Sequence, residues 1–102
     1  VTADTVRSLT LSQRLLGTES VMLIHHTNCG LEGLDNEALA DQLHAETGEA
    51  PGWPVGGFHS VEDSVRGSVD ILRGDSFLIH KDDIRGFVYD VVTGALSEVD
   101  CG

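Results

Sequence analysis

The residues with the clearest chemical potential are His26 and Cys29, which are separated by two residues. Imidazole nitrogen and thiolate sulfur are ligand types that tetrahedral zinc prefers, so the spacing predicts a zinc site. Gly30 follows directly and allows the backbone to approach a bound metal or substrate closely, although a tight turn would also explain a glycine here. A four-residue pattern is a weak signal on its own. The alternatives are a histidine that satisfies backbone groups at a strand end and a cysteine that packs as a small hydrophobic side chain.

The strand predicted over Ser20–His26 must position these two side chains. Its apolar run, Val21–Ile24, is continuous rather than alternating, which predicts burial on both faces in a parallel sheet. Open α/β sheets place their ligand sites at the carboxyl ends of such strands. His25 alternates to the opposite side from His26, so we interpret it as a structural residue.

The other histidines and the nearby carboxylates have simpler interpretations than metal binding. We interpret His44, His59 and His80 as surface or packing residues. Glu32 and Asp35 lie close to Cys29 in sequence, but a solvated loop charge and a helix cap explain them better.

Three segments carry the apolar spacing and the capping residues of helices. They are Thr2–Gly17, Asp35–Gly48 and Ser60–Arg73. The third helix has the most regular apolar face, which is formed by Val61, Val65, Ser68, Val69 and Leu72. Between the second and third helices, prolines and glycines predict a loop over residues 49–59, anchored by burial of Trp53 and Phe58.

The C-terminal part predicts a β-hairpin, with strands at Ile84–Val92 and Ala95–Val99 around a turn at Thr93-Gly94. The predicted fold class is therefore α/β, with a mostly parallel sheet flanked by helices and a C-terminal β-hairpin. A helix that leads straight into a buried parallel strand is the second half of a βαβ unit. We therefore expect an earlier strand ahead of Val1.

Length and composition exclude several classes of protein. A chain of 102 residues predicts a single domain, and a net charge of −11 argues against nucleic-acid and anionic-membrane partners, which the charge would repel. The longest apolar run is far too short to span a membrane, and no secretory leader opens the chain, so we expect a cytoplasmic protein. Two cysteines do not form a disulfide framework, and Cys101 is interpreted as a free thiol.

Beyond the short motif, the chain resembles a known family. The stretch SVMLIHHTNCG, preceded by VRSLTLSQRLLGT and followed by IRGFVYDVVTGALSEV, is similar to the β-class carbonic anhydrases, most closely to a short bacterial branch. The resemblance covers residues 2–99. It implies one zinc ion per subunit with His26 and Cys29 as two of its ligands, reversible hydration of CO₂ to bicarbonate, and a homodimer or higher homo-oligomer.

The resemblance also implies parts that the 102 residues do not contain. The family carries another ligand cysteine and an aspartate–arginine pair in a Cys-x-Asp-x-Arg motif, on an earlier strand in the middle of the sheet. We therefore expect residues 1–102 to form a single domain that lacks its N-terminal strand and helices and is inactive alone, with unpaired backbone edges. Two alternatives stay open: a non-catalytic zinc-binding or assembly domain, and a hydrolase of a CO₂ analogue.

Overall fold

The computed structural model describes residues 1–102, and it contains every predicted helix and strand. The elements in chain order are α1 (Ala3–Leu16), β1 (Val21–His26), α2 (Asn36–Thr47), α3 (Val61–Gly74), β2 (Ile84–Tyr89) and β3 (Leu96–Val99). Observed bounds lie within one residue of the predicted ones, except that β2 ends three residues earlier, at Tyr89. None of the helices has the length and apolar character needed to cross a membrane.

The three strands form one sheet in the order β1-β2-β3. Strands β1 and β2 are parallel, with Val21 opposite Ile84 and His26 opposite Tyr89. Strands β2 and β3 are antiparallel. The α/β class, the parallel pairing and the C-terminal hairpin are therefore confirmed. Strand β1 lies at the edge of this sheet, and its second edge has no strand partner in this chain.

The core lies between α3 and one face of the sheet. Ser60 caps α3, since its hydroxyl accepts a hydrogen bond from the backbone N–H of Asp63 at 3.2 Å. The whole predicted apolar face of α3, including Ser68, is buried. It packs with strand residues of the same cluster, namely Val21, Ile84, Val88 and Val99. The regular spacing of apolar residues in α3 thus predicts the core directly.

On the side of the sheet away from α3, the side chains of β1 are exposed, so the predicted burial of β1 on both faces is wrong. Met22 and Ile24 are 56% and 52% exposed, whereas Val21, Leu23 and His25 alternate toward the helices. The reason is that α3, with residues of α1, packs on one face only. A continuous apolar run predicts a strand, but whether each of its faces is buried depends on the elements that pack against it.

The loop between α2 and α3 is held by Phe58 and by hydrogen bonds, and not by burial of Trp53. Trp53 is 63% exposed, so its predicted burial is wrong, whereas Phe58 is half-buried against the core as predicted. Helix α2 has no buried residue and offers Trp53 no deep surface. Polar contacts hold the loop instead: the Asn36 Oδ1 atom accepts from the Gly57 N–H at 2.7 Å, and Asn36 Nδ2 donates to the Gly57 carbonyl at 3.1 Å.

The only buried residue of α1 is a polar one, Gln13. Its Oε1 atom accepts hydrogen bonds from the backbone N–H groups of Ile79 at 2.8 Å and His80 at 3.1 Å. Its Nε2 atom donates to the His80 carbonyl oxygen at 2.9 Å. Gln13 therefore holds the segment that leads into β2 against α1 through three hydrogen bonds.

Replacing this side chain is expected to destabilise the fold. Gln13→Leu keeps the packing but leaves the backbone groups of Ile79 and His80 without their partner, at a cost of about 1–3 kcal/mol. Urea unfolding measures this difference. The matched control is Gln42→Leu on the exposed surface of α2, which we expect to change stability by no more than about 0.5 kcal/mol. Equal stabilities of Gln13→Leu and the wild type would contradict the assigned role.

An ion pair crosses the exposed face of the sheet between β2 and β3. Arg85 donates from Nε and Nη2 to the two carboxylate oxygens of Glu98, both at 2.8 Å. The guanidinium group also lies 5.3 Å from the ring centroid of Phe87. The hydrogen bonds from Arg85 hold the pKa of the Glu98 carboxyl below its usual value.

This lowered pKa makes a small part of the stability dependent on pH. A carboxyl whose pKa is lower in the folded than in the unfolded chain stabilises the fold above its unfolded pKa, and this contribution is lost as pH falls through the folded value. We expect the wild type to be slightly more stable than Glu98→Gln at neutral pH, and this difference to shrink as pH falls through the folded pKa of Glu98. Urea unfolding at neutral and at acidic pH tests this, with Glu19→Gln as a control without an arginine partner. A difference that persists in acid would contradict it.

Candidate metal centre

The two predicted ligands lie at the carboxyl end of the parallel strand pair. His26 is the last residue of β1 and is exposed, and Cys29 is half-buried in the loop that follows. In the neighbouring strand, the register partner of His26 is Tyr89, the last residue of β2. This is the edge at which open α/β sheets present their ligand-binding groups.

The His26 ring is oriented by its own loop. Its Nδ1 atom lies 2.8 Å from the carbonyl oxygen of Thr27. Because a carbonyl oxygen can only accept, this contact favours the tautomer with the proton on Nδ1 and leaves the lone pair of Nε2 free. A backbone carbonyl on one ring nitrogen is a common orienting partner of metal-binding histidines. In this tautomer, Nε2 is the ring nitrogen of His26 that could accept a bond from a metal ion.

Cys29 is a free cysteine in a loop that is anchored to the core. Its carbonyl oxygen accepts a hydrogen bond from the Glu32 N–H at 3.0 Å. The following residues pair with the loop before α3, where the Phe58 N–H donates to the Leu31 carbonyl at 3.0 Å. Asn28 makes the turn possible with a φ of 54°, a left-handed conformation that asparagine tolerates better than most residues.

Gly30, the predicted substrate contact, does not have a left-handed φ. A tight turn therefore does not require glycine at this position, and the demand for a left-handed residue falls on Asn28 instead. A Cβ atom at Gly30 would meet no other atom within 4 Å. Open space therefore lies beside Gly30, and its contact with substrate stays a prediction.

The remaining candidate side chains have structural surroundings. Asp35 caps α2, since its Oδ1 atom accepts from the Ala38 N–H at 3.0 Å. His25 is half-buried, and burial, followed by the positive charges of the N-terminus and His26, lowers the pKa of its imidazole. A lowered pKa keeps His25 neutral, which suits the structural role predicted for it. His44 and His59 are exposed.

The donor types of His26 and Cys29 fit zinc, but the pair is not a complete set of ligands. No group of three or more histidine, cysteine, aspartate or glutamate side chains in the structure is arranged to hold a metal ion. A catalytic zinc site uses three protein ligands and keeps the fourth position open. His26 and Cys29 are therefore two donor side chains of the types that zinc prefers, one fewer than the protein ligands such a site uses.

Thr27, the residue between His26 and Asn28, joins the loop to the end of β2, a role that the sequence does not predict. Its N–H donates to the Tyr89 carbonyl at 2.9 Å, and its Oγ1 atom accepts from the Val91 N–H at 3.1 Å. One signal was available, because strand alternation places residue 27 on the opposite side from His26, toward the body of the fold.

The fold and the histidine–cysteine pair define an α/β protein with a candidate zinc centre at the carboxyl end of its sheet. The chain is 39% identical over 99 residues, 97% of its length, to β-carbonic anhydrase 1 from Mycobacterium bovis. Its structure matches the crystal structure of the carbonic anhydrase from Streptococcus mutans with a TM-score of 0.87 and 33% identity over 98% of the chain. The carbon disulfide hydrolase of Acidithiobacillus thiooxidans is 25% identical over 94% of the chain and 57% of its own length. No family model matches the chain.

The chain is homologous to the β-class carbonic anhydrases along almost its whole length and has their fold. The resemblance predicted from the sequence is thereby confirmed. The chain spans 61% of the length of the mycobacterial relative and 61% of the Streptococcus mutans chain.

Proposed function

We propose that the chain is the larger part of a zinc-dependent carbonic anhydrase, a lyase that hydrates CO₂ reversibly to bicarbonate. The observation that carries the proposal is the His26–Cys29 pair at the carboxyl end of β1, in a chain homologous to β-carbonic anhydrases over 97% of its length. In this proposal His26 and Cys29 are two zinc ligands, and Gly30 faces the substrate.

The residues of the chain prepare the site in three ways. The carbonyl oxygen of Thr27 holds the Nδ1–H of His26 and leaves Nε2 as the ligand atom. Cys29 contributes its sulfur as a thiolate, and the loop anchored at Phe58 restricts where that sulfur can lie. Gly30 leaves space for a small substrate, since no side chain projects there. When bound, zinc supplies Lewis-acid activation of water for attack on CO₂ at neutral pH.

The third protein ligand is proposed to come from a further strand that pairs with the free edge of β1. One feature supports this: β1 has no strand partner on that edge. A parallel strand added at this edge would end beside His26, where it would present its own ligand. Residues 1–102 alone are therefore expected to bind zinc weakly and to be inactive, because two protein ligands hold the ion less firmly than three.

Stopped-flow measurement of CO₂ hydration tests the proposal. The protein is expressed from the complete reading frame of its gene, and residues 1–102 are expressed separately for comparison. We expect hydration activity that a chelator removes and added zinc restores in the complete protein, and none in residues 1–102. A zinc-loaded complete protein without CO₂ hydration would contradict the proposal.

A second candidate substrate is a sulfur analogue of CO₂. The observation that favours it is the 25% identity to a carbon disulfide hydrolase over 94% of the chain. The same protein is assayed with carbon disulfide, following release of hydrogen sulfide. Consumption of carbon disulfide without CO₂ hydration would establish this alternative, and zinc binding without either activity would indicate a non-catalytic domain.

The complete protein is proposed to form a homodimer or a higher homo-oligomer. Leu15 and Leu16 at the end of α1 are 75% and 82% exposed, in addition to the apolar side chains on the open face of the sheet. Large exposed apolar side chains fit a surface that another subunit covers in an assembly. Light scattering after size-exclusion chromatography at micromolar concentration is expected to give at least twice the mass of one chain. The mass of a single chain would contradict the proposal.

The cellular compartment and the kind of binding partner are proposed from the cysteines and the net charge. Both cysteines are free, which supports a reducing compartment such as the cytoplasm. The net charge of −11 supports a small-molecule substrate rather than nucleic acid or an anionic membrane.

A further inference from the structure

We propose that Thr27 is a positioning residue for the metal centre: its hydroxyl group fastens the ligand loop to the turn after β2 and so fixes the orientation of the His26 ring. The inference rests on the proposed zinc site. It adds a residue that does not bind the metal but determines how well a ligand is prepared for it.

Thr27 uses its N–H, its carbonyl oxygen and its hydroxyl group in three separate contacts. The N–H donates to the Tyr89 carbonyl at 2.9 Å and extends the pairing of β1 with β2 by one residue. The carbonyl oxygen accepts from Nδ1 of His26 at 2.8 Å. The Oγ1 atom accepts from the Val91 N–H at 3.1 Å. One residue thus connects a proposed ligand to the end of β2 and to the turn beyond it.

The turn after β2, which donates the Val91 N–H to the Thr27 hydroxyl group, is stabilised by its own hydrogen bonds. The Oδ1 atom of Asp90 accepts from the N–H groups of Val92 at 2.9 Å and Thr93 at 3.3 Å. The backbone of Asp90 also pairs with Ala95 across the turn, where its N–H donates to the Ala95 carbonyl at 2.9 Å. The hydrogen bond from this turn therefore restrains the position of the loop that carries His26 and Cys29.

Loss of the hydroxyl group has two consequences. The Val91 N–H loses its acceptor, and the backbone of Thr27 is held to the neighbouring strand only through Tyr89. The carbonyl oxygen that orients His26 then varies in position, and the imidazole ring varies with it. Outer partners of metal-binding histidines matter in this way, since their loss commonly lowers metal affinity by about 10–100-fold.

Three variants of the complete protein separate this role from a general effect on folding. Thr27→Val keeps the shape of the side chain and removes the acceptor, whereas Thr27→Ser keeps the acceptor. Thr10→Val is the matched control, because Thr10 is also half-buried and its hydroxyl donates to the Val6 carbonyl at 2.8 Å within α1.

Zinc affinity is measured by competition with a chromophoric chelator, and the His26 tautomer by ¹⁵N NMR of the metal-free protein. We expect Thr27→Val to raise the zinc dissociation constant about tenfold and to weaken the Nδ1–H signature of His26. Thr27→Ser and Thr10→Val are expected to retain the wild-type affinity and tautomer.

Each outcome bears on the proposal. Wild-type affinity in Thr27→Val overturns it, and so does a tenfold loss in Thr27→Ser. If Thr27→Val does not fold, Thr27→Ala is measured in its place with the same expectation, and failure of both to fold overturns a role confined to the ligand loop. Cys29→Ser is measured in parallel. If Cys29→Ser keeps its zinc, the proposed function fails. If Cys29→Ser loses zinc while Thr27→Val keeps the wild-type affinity, only the role of Thr27 fails.

Discussion

Cys29→Ser is expected to lower the zinc affinity of the complete protein by more than about 100-fold and to remove measurable CO₂ hydration. A thiol ionises and binds zinc as a thiolate, whereas a serine hydroxyl stays protonated at neutral pH and is a poor ligand. Loss of a direct ligand should exceed the cost of losing an outer partner, which is about 10–100-fold in affinity. Zinc per chain after gel filtration and chelator competition measure the effect.

The second free cysteine provides the matched control. Cys101 is half-buried like Cys29, and its Sγ atom lies 3.4 Å from the Val99 carbonyl oxygen, away from the candidate centre. Cys101→Ser is expected to keep its zinc and its activity. Circular dichroism of both variants shows whether the fold is retained. A full zinc equivalent in Cys29→Ser would remove Cys29 from the ligand set and with it the chemical basis of the proposed function.

The parts of the fold that the sequence predicts are those with local causes. Capping residues begin all three predicted helices, and in the structure Thr2, Asp35 and Ser60 each accept a hydrogen bond from a backbone N–H in the first turn. The apolar spacing of α3 predicts a helix face that is buried in full. Each of these signals lies within a single helix and its cap, so it can be recognised without knowing what the segment packs against.

The parts that the sequence does not predict depend on distant partners. The apolar run Val21–Ile24 was interpreted as buried on both faces, but α3 and α1 cover only one. Trp53 was expected to anchor its loop, but the exposed helix α2 gives it no cover. The role of Gln13 is not predictable from its neighbours in sequence, because its backbone partners lie 66 and 67 residues away.

The candidate centre shows the same division. The residue types and spacing of His26 and Cys29 suffice to predict a ligand pair, because they follow a strand without a break. The role of Thr27 could not be predicted in this way, since the acceptor function of its hydroxyl depends on Val91, 64 residues further along. Candidate metal ligands are therefore easier to predict from a sequence than the residues that orient them.

Gly86→Ala is expected to destabilise the fold by at least about 3 kcal/mol, at the upper end of the cost of overpacking a core. Gly86 lies in the central strand β2, between Leu23 of β1 and Val99 of β3. A Cβ atom there would overlap Cγ1 of Val65, a fully buried residue of α3. It would also lie 3.4 Å from Cγ2 of Val69. The sheet and α3 would have to separate, which disturbs the whole core.

A double-mutant cycle tests whether this single overlap is the cause. Val65→Ala alone removes two buried methyl groups and is expected to cost about 1–3 kcal/mol. It also removes the atom that Gly86→Ala would strike, so the double variant should be much less destabilised than the sum of the two single variants. Gly67→Ala on α3 is the control: its Cβ would meet nothing within 4 Å, and it is expected to stabilise the helix by about 0.5–1 kcal/mol. Urea unfolding gives all four values, and additive losses at Gly86 and Val65 would show that the contact between β2 and α3 is not what requires glycine.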